Sequence, residues 1–106
     1  MKLNNVELIN IHNVLQALAQ QKIAGAFKFK LLKLTKAVGE EARTVIESLE
    51  FKEDGKVKES EENEEILKVE QDVSLPKINE KDLEPLEISV ADLLVLEPII
   101  DKGDDK

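Results

Sequence analysis

From Phe27 to Leu49, seven apolar residues recur at intervals of 4, 3, 4, 4, 3 and 4: Phe27, Leu31, Leu34, Val38, Ala42, Val45 and Leu49. At 100° per residue they fall within about 80° of arc, a stripe that only an α-helix can present over so long a run. Leu32 and Ile46 widen one flank. The spacing predicts a helix from about Ala24 to Glu50, roughly 40 Å long at 1.5 Å per residue. Gly39 inside it costs about 1 kcal/mol relative to alanine, so packing has to carry the helix through that point. Arg43 stands three residues after Glu40 and four before Glu47, spacings that add weak side-chain pairs.

The segment before it offers a cover. Asn4 and Glu7 have the spacing of a capping box. Beyond them Leu8, Ile11, Val14, Leu15, Leu18 and Ala19 lie within about 140° of arc, with Asn10, Asn13, Gln16 and Gln20 opposite. A helix from Asn5 to Gln20 is predicted. The polar break Gln20-Gln21-Lys22, with Gly25 as its weak point, makes residues 1–50 an antiparallel helical hairpin.

The rest reads differently. Residues 51–72 form an acidic connector. Asp54-Gly55 marks a tight turn between Phe51 and Val57. Glu59 to Glu65 holds five glutamates in seven residues, and Ser60 can cap a short helix from Glu61 to Glu70. Residues 73–100 read as an extended segment plus a short helix. Pro76 restricts the stretch from Asp72 to Ile78 to an edge. Glu80 to Glu84 makes one helical turn before Pro85. Leu86 and Ile88 alternate as extended chain. Ser89 and Asp92 start a helix holding Val90, Leu93, Leu94, Val95 and Leu96, which Pro98 ends. Residues 101–106 read as a frayed tail. The fold class expected is mainly α, in one domain spanning 1–106: a long antiparallel helical hairpin, an acidic linker, a short extended segment and a short C-terminal helix.

Charge and composition narrow the chemistry. Lys and Arg number 15 against 23 Asp and Glu, a formal charge of −8. Residues 1–50 carry seven bases and five acids, and residues 51–106 eight bases and eighteen acids. Nucleic acid or an anionic membrane would be repelled by the acidic half. No apolar run of membrane-spanning length occurs, and the first twenty residues lack the layout of a signal peptide. Without cysteine there is no disulfide or thiolate chemistry, and His12 is the single histidine. The adjacent acids Glu40/Glu41, Glu61/Glu62, Glu64/Glu65 and Asp104/Asp105 are neighbours along a solvated chain, not facing partners for acid–base work. Asp101, Asp104 and Asp105 lack the spacing of a calcium loop. No serine stands in a nucleophile turn, and the four glycines make no phosphate cradle. The expectation is a non-enzyme with no cofactor, no metal and no small-molecule substrate. Lys28, Lys30, Lys33 and Lys36 spread through about 200° of the second helix, so their stems cover its apolar seam rather than form one nucleic-acid ridge. His12 sits at the edge of the first helix's apolar arc, where a hydrogen-bonded boundary histidine is expected.

The order of features carries a resemblance. Lys30-Leu-Leu-Lys-Leu-Thr-Lys36 is followed by Glu40-Glu-Ala-Arg43, an acidic middle with Asp54-Gly55, and Glu65-Ile-Leu-Lys-Val-Glu70. The chain then runs Leu83-Glu-Pro-Leu-Glu-Ile-Ser-Val-Ala-Asp-Leu-Leu-Val-Leu-Glu-Pro-Ile-Ile100. This resembles the small acidic proteins of tailed bacteriophages and prophages, in which a Glu-Glu-Ala-Arg helix precedes a Leu-Glu-x-Leu-x-Ile-Ser-x-x-Asp-Leu ending. The resemblance implies phage origin, a binding or assembly role, and a place in the bacterial host cytoplasm or the virion. It brings no active site.

Two functions follow as expectations. The first is a non-enzymatic, virion-associated or assembly protein working through protein–protein contacts with itself or with another phage or host protein. With three aromatics and short flanking elements the core looks thin, so association is expected to cover Phe27, Leu31, Leu34, Val38, Leu93, Leu94 and Leu96. The alternative is an acidic inhibitor of a host defence or nucleic-acid enzyme, its contact made by Glu59, Glu61, Glu62, Glu64 and Glu65. Screening by salt would weaken such a contact most.

Overall fold

Asn4 and Glu7 do form a capping box: the Glu7 amide donates to Asn4 Oδ1 at 2.8 Å and the Asn4 amide donates to Glu7 Oε1 at 3.0 Å. They open helix α1, Asn5–Leu18, which follows directly on strand β1, Lys2–Asn4. The computed structural model describes residues 2–101. After α1 the chain passes through Gly25, at φ +86°, and enters helix α2, Phe27–Ser48. At their shared loop α1 ends two residues and α2 begins three residues short of the predicted bounds, and the left-handed backbone at Gly25 keeps the start of α2 beyond it.

Beyond α2 the main elements are helix α3 (Glu61–Lys68), strand β2 (Glu70–Asp72), strand β3 (Ile78–Asn79), helix α4 (Glu80–Leu83) and helix α5 (Val90–Leu96). A 3-10 turn, Glu97–Ile99, takes in Pro98 and leads to strand β4, Ile100–Asp101. The molecule is thus mainly helical. Of the expected tail, Asp101 lies in β4 and residues 102–106 lie outside the described residues.

Two strand pairs, which the sequence did not announce, tie the ends together. β1 and β2 run antiparallel with Leu3 opposite Gln71, and β3 and β4 run parallel with Ile78 opposite Ile100. The Asp54-Gly55 turn forms as predicted. Phe51 bridges to Val57, Gly55 takes φ +88°, and the Lys56 amide donates to Asp54 Oδ1 at 3.0 Å.

The expectation of a thin core needs correcting. Seventeen apolar side chains among the described residues are buried. From α1 come Leu8, Ile11, Leu15 and Leu18, and from α2 Leu31, Leu34, Val38 and Val45. The missing cover is supplied by the chain itself: Leu3, Val73, Ile78, Leu83, Leu96 and Ile99 close the cluster. Burying a Val, Leu or Ile side chain contributes about 1.5–3 kcal/mol each, so these six give the seam of α2 a cover from within the chain.

Gly39 sits where α2 passes α1. A methyl group there would stand 3.8 Å from His12 Cε1 and 3.9 Å from His12 Nδ1, ordinary van der Waals contact. Close approach therefore does not require the glycine. Gly39→Ala is expected to raise unfolding stability by about 0.5–1 kcal/mol through helix propensity and a less mobile unfolded chain. Urea denaturation reads this directly, and a lowered midpoint would mean that the seam has no room for the methyl group.

Candidate functional site

The last helix starts because Ser89 Oγ accepts from the Asp92 amide at 3.1 Å. Its residues are apolar almost all round, and tertiary packing decides which face goes inside. Leu96 is buried, whereas Val90 is 74% and Leu94 64% exposed. Between α4 and α5 lies a groove of about 420 Å³. Leu83, Ile88, Leu93 and Ile100 line it with Val90 and Leu94, and Glu80, Glu84 and Glu97 complete the lining.

A second surface lies on α2. Phe29 is 62% and Leu32 51% exposed. With Ala19, Gln21, Ile23, Lys28, Leu31 and Thr35 they border a hollow of about 380 Å³. Lys28 Nζ stands 5.6 Å from the centre of the Phe29 ring, a cation–π contact at an exposed site. The two surfaces are linked through Gln21. Its Nε2 donates to the Glu87 carbonyl at 2.8 Å, and its Oε1 accepts from the Glu87 amide at 3.2 Å.

The acidic block is ordered. Ser60 Oγ accepts from the Asn63 amide at 3.1 Å and starts α3. Glu59, Glu61, Glu62, Glu64 and Glu65 are exposed, while Ile66 and Leu67 are half-buried on the other side. Asn63, in the middle of the glutamates, is buried. Its Nδ2 donates to the Glu50 carbonyl at 2.9 Å and to the Lys58 carbonyl at 2.6 Å, and its Oδ1 accepts from the Glu50 amide at 3.0 Å. Asn5, also buried, donates to the Ile66 carbonyl at 2.6 Å and accepts from Gln71 Nε2 at 2.6 Å, fixing α3 and β2 to the start of α1. These two asparagines hold the acidic segment in place, a task that propensity within the block could not perform.

Of the seven residues expected at an interface, Leu31, Leu34, Val38 and Leu96 are enclosed within the single chain. Phe27 is half-buried against the same core. The four enclosed residues offer no surface to a partner in this structure, whereas Phe27 keeps part of its own exposed. Only Leu93 and Leu94 come together at an open surface, in the α4–α5 groove. Its other apolar members, Leu83, Ile88, Val90 and Ile100, are not singled out by the sequence pattern, although Val90 lies one helical turn before Leu94 and so shares its face. His12 departs from expectation: among the described residues its Nδ1 is enclosed without a hydrogen-bond partner, as is Thr35 Oγ1. Arg43 pairs with Glu47 at 3.8 Å, largely exposed, and Lys58 with Glu50 at 3.7 Å. Surface pairs of this kind are worth little.

Among the described residues, no group of three or more His, Cys, Asp or Glu is placed to hold a metal ion. No described helix is long and apolar enough to cross a membrane. No family model, curated protein or solved structure matches the chain.

Proposed function

We propose that the chain is a non-enzymatic bacteriophage protein acting through protein–protein contacts, as a virion-associated or assembly component, with the α4–α5 groove as its contact surface. In this reading α1 and α2 form an antiparallel hairpin that serves as a rigid scaffold. The rest of the chain closes its core and presents α5. The observation that carries the reading is the exposure of Val90 and Leu94 on a capped, ordered helix beside an apolar groove. A chain that encloses seventeen other apolar side chains leaves these in water, and clustered exposed apolar residues mark interaction surfaces. The phage setting, with the protein in the host cytoplasm or incorporated in the virion, draws on the resemblance of the Glu40–Arg43 and Leu83–Leu93 segments.

A second reading has its own support. The carboxylates of Glu61, Glu62, Glu64 and Glu65 share one solvent face of a helix pinned by Asn63, the kind of fixed acidic row that an inhibitor of a nucleic-acid enzyme needs. Site-specific photocrosslinking separates the two. A crosslinker replacing Leu94 is expected to give discrete protein adducts in producing cells, and one replacing Glu64 none. Adducts at position 64 alone would transfer the function to the acidic face.

A further inference from the structure

We infer that the occupant of the α4–α5 groove is a second copy of this chain, which inserts the lysine-flanked ridge of its α2. The inference rests on the reading of the groove as a protein contact surface and names the partner.

The evidence is a charge pattern with an apolar centre on each side. Residues 8–39 contain five lysines and no acid, whereas residues 80–96 contain five acids and one lysine. On α2, Lys28, Leu32 and Lys36 succeed one another at one-turn intervals, with Phe29 beside them, all within about 100° of arc. All four are exposed, and the buried seam of Leu31, Leu34 and Val38 lies elsewhere on the helix. The ridge therefore has an apolar crest between two ammonium groups. The groove carries the opposite charge: its lining is mostly apolar, and Glu80 and Glu84, one helical turn apart, add exposed carboxylates.

Within one chain neither surface covers the other, since Phe29 and Leu94 both stay more than half exposed. α2 is held by its buried face and cannot turn its ridge inward without emptying the core. A second copy supplies the match without any such movement. The Gln21–Glu87 hydrogen bonds set the two surfaces side by side, which allows two copies to exchange ridge for groove more than once. Matched charge around a desolvated apolar centre sets register and speeds encounter, and it weakens with salt.

Sedimentation of the full chain across a concentration series tests this. The weight-average mass is expected to rise from 11.9 kDa at high dilution, toward roughly twice that value or beyond on concentration. Glu80→Lys with Glu84→Lys is expected to weaken association about tenfold or more, and so is Lys28→Glu with Lys36→Glu. An equimolar mixture of the two variants is expected to recover association, because the unaltered ridge of one meets the unaltered groove of the other. All four positions are exposed, so at dilutions where the parent is monomeric the thermal melts of the variants should match it. A parent chain that stays monomeric at all concentrations, reversals without effect, or a mixture that fails to recover would each overturn the inference. Crosslinking from position 94 separates this from the reading beneath it. Chain-to-chain adducts support self-docking, foreign adducts alone overturn it but sustain a protein contact, and no adducts overturn both.

Discussion

Leu34→Glu is expected to abolish the cooperative unfolding transition of the single chain, before any question of association arises. Leu34 is fully buried at the centre of α2, within the cluster formed by α1, α2 and the C-terminal segments. Truncating a buried leucine alone costs about 2–5 kcal/mol. A carboxylate left in that cavity adds several kcal/mol more, either as an unpaired charge or as the work of keeping it protonated. The sum reaches the lower part of the 5–15 kcal/mol that typically separates folded from unfolded domains. At dilutions where the chain is monomeric, Leu32→Glu is the matched control: two residues away on the same helix, half exposed, and expected to shift stability by no more than about 0.5 kcal/mol. Thermal melts followed by far-ultraviolet circular dichroism distinguish the pair. If Leu34→Glu melted with the parent while losing only its oligomer, the seam would belong to an interface after all.

That contrast shows where periodicity stops being informative. The Phe27–Leu49 stripe established that α2 has one apolar face, and the Asn4–Glu7 box, the Ser60 cap and the Ser89–Asp92 pair placed three helix starts correctly. Neither signal says what covers the face. The cover comes partly from Leu3, Ile78 and Ile99, in or beside strands of two or three residues, too short to show a period of two. The direction of α5 was illegible for the opposite reason. With apolar residues all round, its sequence does not favour Leu96 inside over Leu94 inside, and tertiary contacts make that choice. The α4–α5 groove depends on it, so a site built of Leu93 and Leu94 was visible in outline while its walls were not. Asn63 was hidden differently again. One asparagine among five glutamates reads as another solvated residue, and its role becomes apparent only when the Phe51–Val57 turn folds back beside it.

The largest effect outside the apolar core is expected from that residue. Asn63 is only 2% exposed, and its side chain bonds Glu50 through both backbone groups and Lys58 through its carbonyl. A typical intramolecular hydrogen bond contributes about 0.5–1.5 kcal/mol, and a buried group deprived of its partner costs about 1–3 kcal/mol. Asn63→Ala removes all three bonds and leaves the Glu50 amide and the Lys58 carbonyl to find water, so a loss of about 2–4 kcal/mol is expected in urea denaturation. Asn63→Asp should be no better. The carboxylate can still accept from the Glu50 amide, but it has no proton to give and sets a negative charge against two carbonyl oxygens, among glutamates that already repel one another. Hydrogen exchange tells a local role from a global one. The Lys58 amide, which donates to the Glu50 carbonyl at 3.0 Å, and the Gly55 amide, which donates to the Lys52 carbonyl at 2.9 Å, should lose more protection than amides in the middle of α2. Equal loss at both places would make Asn63 one more contributor to a single cooperative unit. Selective loss at the turn would identify it as the clamp that lets a run of like charges persist as an ordered helix. The fixed acidic face could then be released by one substitution while the α4–α5 groove remains intact.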